Sequence, residues 1–204
     1  MSSNRSNDKT HTNTGTGTGT HSRTTPPPPL SLRPFRSADD APLLRTWVTT
    51  PAELMTWAGP TFAWPLDDAR LAAYAAEPDR HLWTAVTAVG DRPGEERPVG
   101  HASLLGTRLG RVLIAPTARG RGHGAAMVAR VLDLAFGELA LPEVGLGVWA
   151  HNTAALRIYE RLGFRTVQVL ADMEEVDGVR WSAHQMRLPA PGARHGHGHR
   201  RGRG

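Results

Sequence analysis

Between residues 119 and 125 glycine alternates with arginine and histidine: Arg119, Gly120, Arg121, Gly122, His123, Gly124, Ala125. A run of this kind is suited to holding an anion through its backbone, because glycine has no Cβ to keep a ligand away. Behind it, Val128, Val131, Leu132 and Ala135 recur at i, i+3, i+4 and i+7, which predicts a helix with one buried face. The first N–H groups of that helix have no intrahelical acceptor. They would point out of the glycine turn at the positive end of the helix dipole, where phosphate is the natural occupant.

Three phosphate-binding patterns compete for the turn. A P-loop needs Lys-Ser/Thr after its last glycine, and here Ala125-Ala126 follows Gly124. A dinucleotide fold wants an acidic residue closing the next strand, about 20 residues on. Glu143 lies near that distance but precedes the next apolar strand. The third pattern is Arg-x-x-Gly-x-Gly after a strand ending apolar-x-Pro, and Arg119, Gly122, Gly124 and Ile114-Ala115-Pro116 satisfy it. In this the chain resembles the GNAT superfamily of acetyl-CoA-dependent N-acetyltransferases, whose pyrophosphate-binding motif has this form.

A second motif strengthens the resemblance. The stretch VWAHNTAALRIYERLGF from Val148 resembles the later signature of the same superfamily: Asn, then Ala-x-x-x-Tyr, then Leu-Gly-Phe. Asn152 is placed to cap a helix beginning at Thr153, with Ala155, Ile158, Tyr159 and Leu162 on one face and Gly163 at its C′ position. The resemblance spans roughly residues 30–188 and is nearest to the RimJ/RimL-like branch. It implies a single-domain α+β fold with a mixed central sheet of about seven strands flanked by helices.

The resemblance also implies roles. The central strand would leave backbone groups of Val112 and Ile114 free for the pantetheine arm and thioester, with the Ile114 N–H stabilising the carbonyl oxygen. Arg119, Gly120, Arg121, Gly122, His123, Gly124 and Ala125 would hold the pyrophosphate. Asn152 would reach the cofactor arm or cap its helix, and Tyr159 would protonate the leaving thiolate or serve as a core aromatic. Acetyl-CoA is the implied co-substrate, an amine (protein N-terminus or small molecule) the acceptor, and no metal is implied. The region after the first helix would line the acceptor pocket with Glu53, Trp57, Phe62 and Trp64, or bury these aromatics in the core. His101 precedes the central strand and joins Glu53, His81 and His184 as a candidate base. A non-catalytic acyl-CoA sensor or scaffold with basic tails is the alternative reading, and a homodimer is compatible with either.

Elements follow from the same patterns. Leu30 and Leu32 begin a strand; Leu43, Leu44, Trp47 and Val48 give a helix started near Asp39 and Asp40. Residues 51–65, with three prolines, read as irregular, and 66–76 as a second helix. Strands are expected at 81–89, 98–109, 111–115, 144–149, 165–170 and 179–188, and a helix at 153–162.

Composition bounds the rest. The chain has 204 residues, 39% of them hydrophobic, and no cysteine, so neither disulfides nor a cysteine nucleophile enters. No secretory leader or apolar span is legible, and a cytoplasmic location is expected. Arg5, Lys9 and Arg23 outweigh Asp8 before residue 31, and Arg194, Arg200, Arg201 and Arg203 close the chain. Of the net charge of +5, residues 31–189 therefore keep only −1. The basic character belongs to the ends, so a nucleic-acid-binding core is not expected. Residues 1–29, with Thr-Gly repeats and Pro26–Pro29, read as a disordered leader, 30–189 as the domain, and 190–204, with HGHGHRRGRG, as a disordered tail.

Overall fold

Among the described residues seven strands make one sheet: β1 (Ser31–Pro34), β2 (Arg80–Ala88), β3 (Glu96–Leu105), β4 (Arg108–Ile114), β5 (Glu143–Trp149), β6 (Arg165–Val176) and β7 (Val179–Pro189), in the order β1-β2-β3-β4-β5-β7-β6. Five helices flank it: α1 (Ser37–Trp47), α2 (Pro51–Ala58), α3 (Asp68–Ala75), α4 (His123–Phe136) and α5 (Thr153–Arg161). This computed structural model describes residues 29–89 and 94–192; the expected leader and tail, with the Thr-Gly and His-rich motifs, fall almost wholly outside the described residues.

Every strand pairing is antiparallel except β4 with β5, and that parallel pair is held at a single register position, Arg108↔Gly145. The cause lies in β4. Its register against β3 passes from Ser103↔Gly110 to His101↔Leu113, so two residues of β4, Arg111 and Val112, face the single residue Ala102. Arg111 takes a left-handed φ of 50° at this bulge. A bulge bends its strand and increases the local twist, and β4 thereby leaves β5 after Arg108. The sheet opens into a wedge between them.

The core forms on α4, whose Met127, Val128, Val131, Leu132 and Ala135 are buried as their spacing predicts. Gly100 of β3 sits directly under this helix. A Cβ there would lie 2.9 Å from the Met127 sulfur and equally close to Ile114 Cδ1 and the Leu113 carbonyl. At the other end of the sheet, buried Asp40 of α1 accepts from both Arg33 nitrogens at 2.7 and 2.8 Å, from Arg36 N at 2.8 Å and from Thr84 Oγ1 at 2.7 Å. Burial pushes its carboxyl up, but these bonds outweigh that and hold it below the usual carboxylate range.

Three expectations are corrected. Residues 51–58 are helical: Pro51 sits in the first turn, where its missing N–H costs nothing, and the Thr50 hydroxyl accepts from Glu53 N at 3.1 Å. The β3–β4 turn falls at Gly106-Thr107, with Gly106 at φ 55°, so Leu109 belongs to the central strand. Strand β6 runs on to Val176, because the hairpin with β7 continues past a register shift to Val176↔Val179.

Candidate active site

The wedge between β4 and β5 is the mouth of a cavity of about 770 Å³. Its walls are β4 from Leu109 to Ile114, β5 from Leu146 to Trp149, the turn and first residues of α4, one face of α5, and Glu53, Thr56 and Trp57 of α2. Ala115 N donates to Val99 O at 2.9 Å. Amides alternate in direction along an antiparallel ladder, so the Ile114 N–H faces away from β3, toward the opened gap.

The start of α4 is built for an anion. Gly120 and Gly122 hold φ values of 75° and 82°, which side chains with a Cβ rarely adopt, and Gly122 is the N-cap without any side-chain cap bond. The first amide of the helix to find a backbone acceptor is Ala126, bonded to Gly122 O at 3.2 Å. The N–H groups of His123, Gly124 and Ala125 therefore open toward the cavity side of the turn. Gly124 has a different reason to be glycine: a Cβ there would meet Ile158 Cδ1 of α5 at 3.2 Å. Arg119 Nε donates to Ile114 O at 3.2 Å, which fastens the turn to the end of β4. His123 is buried, and burial, then Arg121, lower its pKa.

Two tryptophans tie α2 across the gap. Trp57 Nε1 donates to Arg111 O on β4 at 2.8 Å, and Trp149 Nε1 of β5 donates to Met55 O on α2 at 2.9 Å. On α5, the Asn152 side chain accepts from Ala155 N at 3.2 Å, capping the helix that carries Tyr159. Tyr159 is buried against Phe164, ring centroids 5.7 Å apart, and lines the cavity. Burial pushes its phenol upward, so it stays protonated at neutral pH.

Residues 30–165 match the family described as acetyltransferase (GNAT) domain. The chain belongs to the GNAT acetyltransferase family. It is 37% identical over 98 residues to a mycothiol acetyltransferase of Salinispora tropica, covering 48% of this chain and 25% of that protein. It is 33% identical over 88 residues to the peptidyl-lysine N-acetyltransferase YjaB of Salmonella typhimurium, covering 43% and 52%. The chain thus spans a quarter to about half the length of these curated relatives. Among solved structures, a spermidine N-acetyltransferase from Vibrio cholerae, crystallised with CoA and spermine, shares the fold at a TM-score of 0.65 and 19% identity, over 78% of this chain and 95% of that one. These relatives support the GNAT family without singling out its RimJ/RimL-like branch.

Against this GNAT frame the residues singled out in sequence separate into two groups. Val112, Ile114, Arg119, Gly120, Gly122, His123, Gly124, Ala125, Asn152, Tyr159, Glu53 and Trp57 all line the cavity. Arg121, Phe62, Trp64 and His101 are not among its lining residues. Arg121 is exposed beside the turn. Phe62 packs on Trp57 and Tyr74, with centroids 5.9 and 5.5 Å away. Trp64 is 43% exposed on a loop. His101 is buried, its Nε2 hydrogen-bonded to the Tyr74 hydroxyl at 2.9 Å, and burial drives its pKa down to about 3. It is a neutral core histidine.

Of the other candidate bases, His81 stacks on Trp83 and His184 bonds Thr166 Oγ1, both away from the lining. Glu53 is in place but accepts from Thr49 N and Oγ1 at 2.8 and 2.9 Å, which lowers its pKa. Sequence reading missed His151, which lines the cavity mouth with its ring 4.2 Å from that of Trp181. It missed Trp149 and Arg111 as well. Trp149 lies inside the later motif and Arg111 begins the expected central strand, but only the wedge turns them toward one space. Among the described residues no group of His, Cys, Asp and Glu is arranged to hold a metal, and no helix is long and apolar enough to cross a membrane.

Proposed function

We propose that this chain transfers an acetyl group from acetyl-CoA to a primary amine by direct attack on the thioester. The observation that carries this reading is the opened β4–β5 wedge leading to the uncapped amides of α4. Acetyl-CoA supplies the activated acyl group and would lie with its pyrophosphate at His123, Gly124 and Ala125 and its arm along Val112 to Ile114. The cradle suits it: free amides, two left-handed glycines and Arg119 face a diphosphate, and a strand edge faces an amide-bearing arm.

The chain's own groups then divide the work. The Ile114 N–H is aimed where negative charge would build on the acyl oxygen, a donor whose value is greatest in a site closed to water. Attack by the neutral amine forms the C–N bond, and the C–S bond breaks. Tyr159, neutral and donor-competent, supplies a proton to the departing sulfur. The amine's proton leaves through Glu53, His151 or water at the α2 side of the mouth. Glu53 and Trp57 form part of the acceptor wall.

The test is thiol release from acetyl-CoA by the full chain with an amine panel, alongside calorimetry with acetyl-CoA alone. Binding together with amine-dependent release is expected. Binding without release above the amine-free blank would favour the acyl-CoA sensor; no binding at all would overturn the proposed site.

A further inference from the structure

Resting on that reading, we propose that Arg111 recognises a carboxylate on the acceptor, so that the amine acetylated here belongs to a molecule that also carries a negative charge and not to a polyamine.

Arg111 lines the cavity at the bulge, and its carbonyl is held by Trp57. Its Cζ lies 5.1 Å from the Phe62 ring centroid and 5.0 Å from that of Tyr74. Two aromatic faces hold the planar group and shield it from water, an arrangement that arginine tolerates better than lysine. Yet no carboxylate answers it among the described residues. Its Nε is buried without a partner. The acid that acts on it, Glu77, is taken by Arg80 at 2.8 Å, and Arg80 and Arg108 add further positive charge. A partly buried guanidinium with an orphaned donor and cationic neighbours is costly to leave unanswered, and a bound anion is what would offset it.

The rest of the cavity points the same way. Its lining holds Arg111, Arg119, Arg157 and Arg161 but one acid, Glu53, whose carboxylate already accepts two bonds from Thr49. Arg119 belongs to the α4 turn and Arg157 and Arg161 to α5, beside the proposed diphosphate site. Arg111 stands apart, under α2 and the Phe62 loop, on the side left for the acceptor. A polycation would find one engaged carboxylate there and a fixed positive charge. A carboxylate would find the outer edge of the guanidinium, its two Nη groups, suited to bidentate pairing, and its charge would offset the buried cation.

The experiment uses the full chain saturated with acetyl-CoA and three acceptor series: dipeptides with a free C-terminal carboxylate, the same dipeptides amidated, and spermidine. The free-carboxylate series should lead in kcat/KM by about 10- to 100-fold, the range of one charge-assisted hydrogen-bonded pair. Arg111→Met should erase that lead, chiefly through acceptor KM, and Arg111→Lys should restore part of it. Melting curves and acetyl-CoA calorimetry on both variants show that the fold and donor site persist; should Arg111→Met not fold, Arg111→Lys alone must narrow the lead. Equal or better rates with amides or spermidine, a lead that survives in the variants, or acetyl-CoA binding with a silent carboxylate series would each overturn the proposal. Loss of acetyl-CoA binding in the unmodified chain would instead strike the acetyltransferase reading itself.

Discussion

At the scale of single residues, Tyr159 and Gly120 give the clearest tests of the chemistry. The Tyr159 hydroxyl makes no hydrogen bond to a described residue, so Tyr159→Phe removes a proton donor and little packing. It should lower kcat by about 10²–10⁴-fold, with the melting temperature nearly unchanged in calorimetry; an equal loss of stability and rate would make Tyr159 a core residue only. Gly120 has open space around its absent Cβ, and Asn and Asp tolerate its left-handed φ of 75° best. Gly120→Asp should weaken acetyl-CoA by about tenfold or more relative to Gly120→Asn, through charge alone. Gly124 is a poorer choice, because a Cβ there would sit 3.2 Å from Ile158 Cδ1 and mix a steric effect with that of charge. His101 and Tyr74 set a pH dependence of stability. With its folded pKa lowered to about 3, His101 stays neutral while the unfolded chain takes up a proton, so stability is lost as pH falls from about 6.5 toward 3. Tyr74, raised to about 12, works in the opposite sense: its contribution is lost as pH rises from about 10 toward 12. Urea titrations at pH 7, 5 and 4 should show the acid slope, and a His101→Phe protein should show less of it. Asp40 adds to acid loss only as pH falls through the ordinary carboxyl value toward its own lower one, so the slope between about pH 6.5 and 5 reports His101 and not Asp40.

Among the elements, α2 is the piece whose position decides the proposed acceptor wall. It is only eight residues long and packs on β4 through few partners, so its two indole bonds, Trp57 to Arg111 O and Trp149 to Met55 O, carry much of its placement. Trp57→Phe keeps an aromatic but leaves the Arg111 carbonyl without its donor, at a cost of about 1–3 kcal/mol. The expected outcome is a rise in acceptor KM larger than the fall in kcat, and faster amide hydrogen exchange across residues 51–58 with α4 unaffected. Exchange that accelerates equally in α4 would mean that the substitution loosens the core as a whole. The same logic explains the bulge at Arg111: without the extra residue, β4 would stay paired with β5 and the wedge would close.

For the whole molecule, the donor site and the fold should be thermodynamically coupled, because the cradle spans β4, α4 and α5, which exist together only in the native state. Acetyl-CoA at about 100 times its Kd should stabilise the chain by about 2.7 kcal/mol, seen as a higher melting temperature that tracks ligand concentration. Residues 30–189 carry the apolar patterning and keep a net charge near zero, whereas the ends carry the excess of positive charge. A protein trimmed to 30–189 should therefore keep both its melting temperature and its turnover on a small amine. If trimming removed activity toward one macromolecular acceptor only, the ends would be recruiting elements.

What the amino-acid order determined by itself was local. Gly120, Gly122 and Gly124 ahead of a 3.6-residue apolar period made a helix N-terminus open to an anion, and Asn152 with Gly163 bounded the helix carrying Tyr159, because caps and left-handed turns are written in neighbouring residues. The alternating and periodic stretches likewise announced the strands and α4. Helix α2 was hidden by Pro51 and by Pro60 and Pro65 after it, which local rules treat as breakers until Thr50 is seen capping the turn that Pro51 begins. Only the tertiary structure decided which residues share the cavity. His101 lies on β3 and Arg111 on its neighbour β4, yet His101 turns into the aromatic core while the Arg111 bulge brings its residue to the cavity wall. Trp149 and His151 reach the mouth because β5 parts from β4. Those outcomes depend on strand register and on contacts between residues far apart in sequence, Trp149 with Met55 and Trp57 with Arg111, which no short-range pattern encodes.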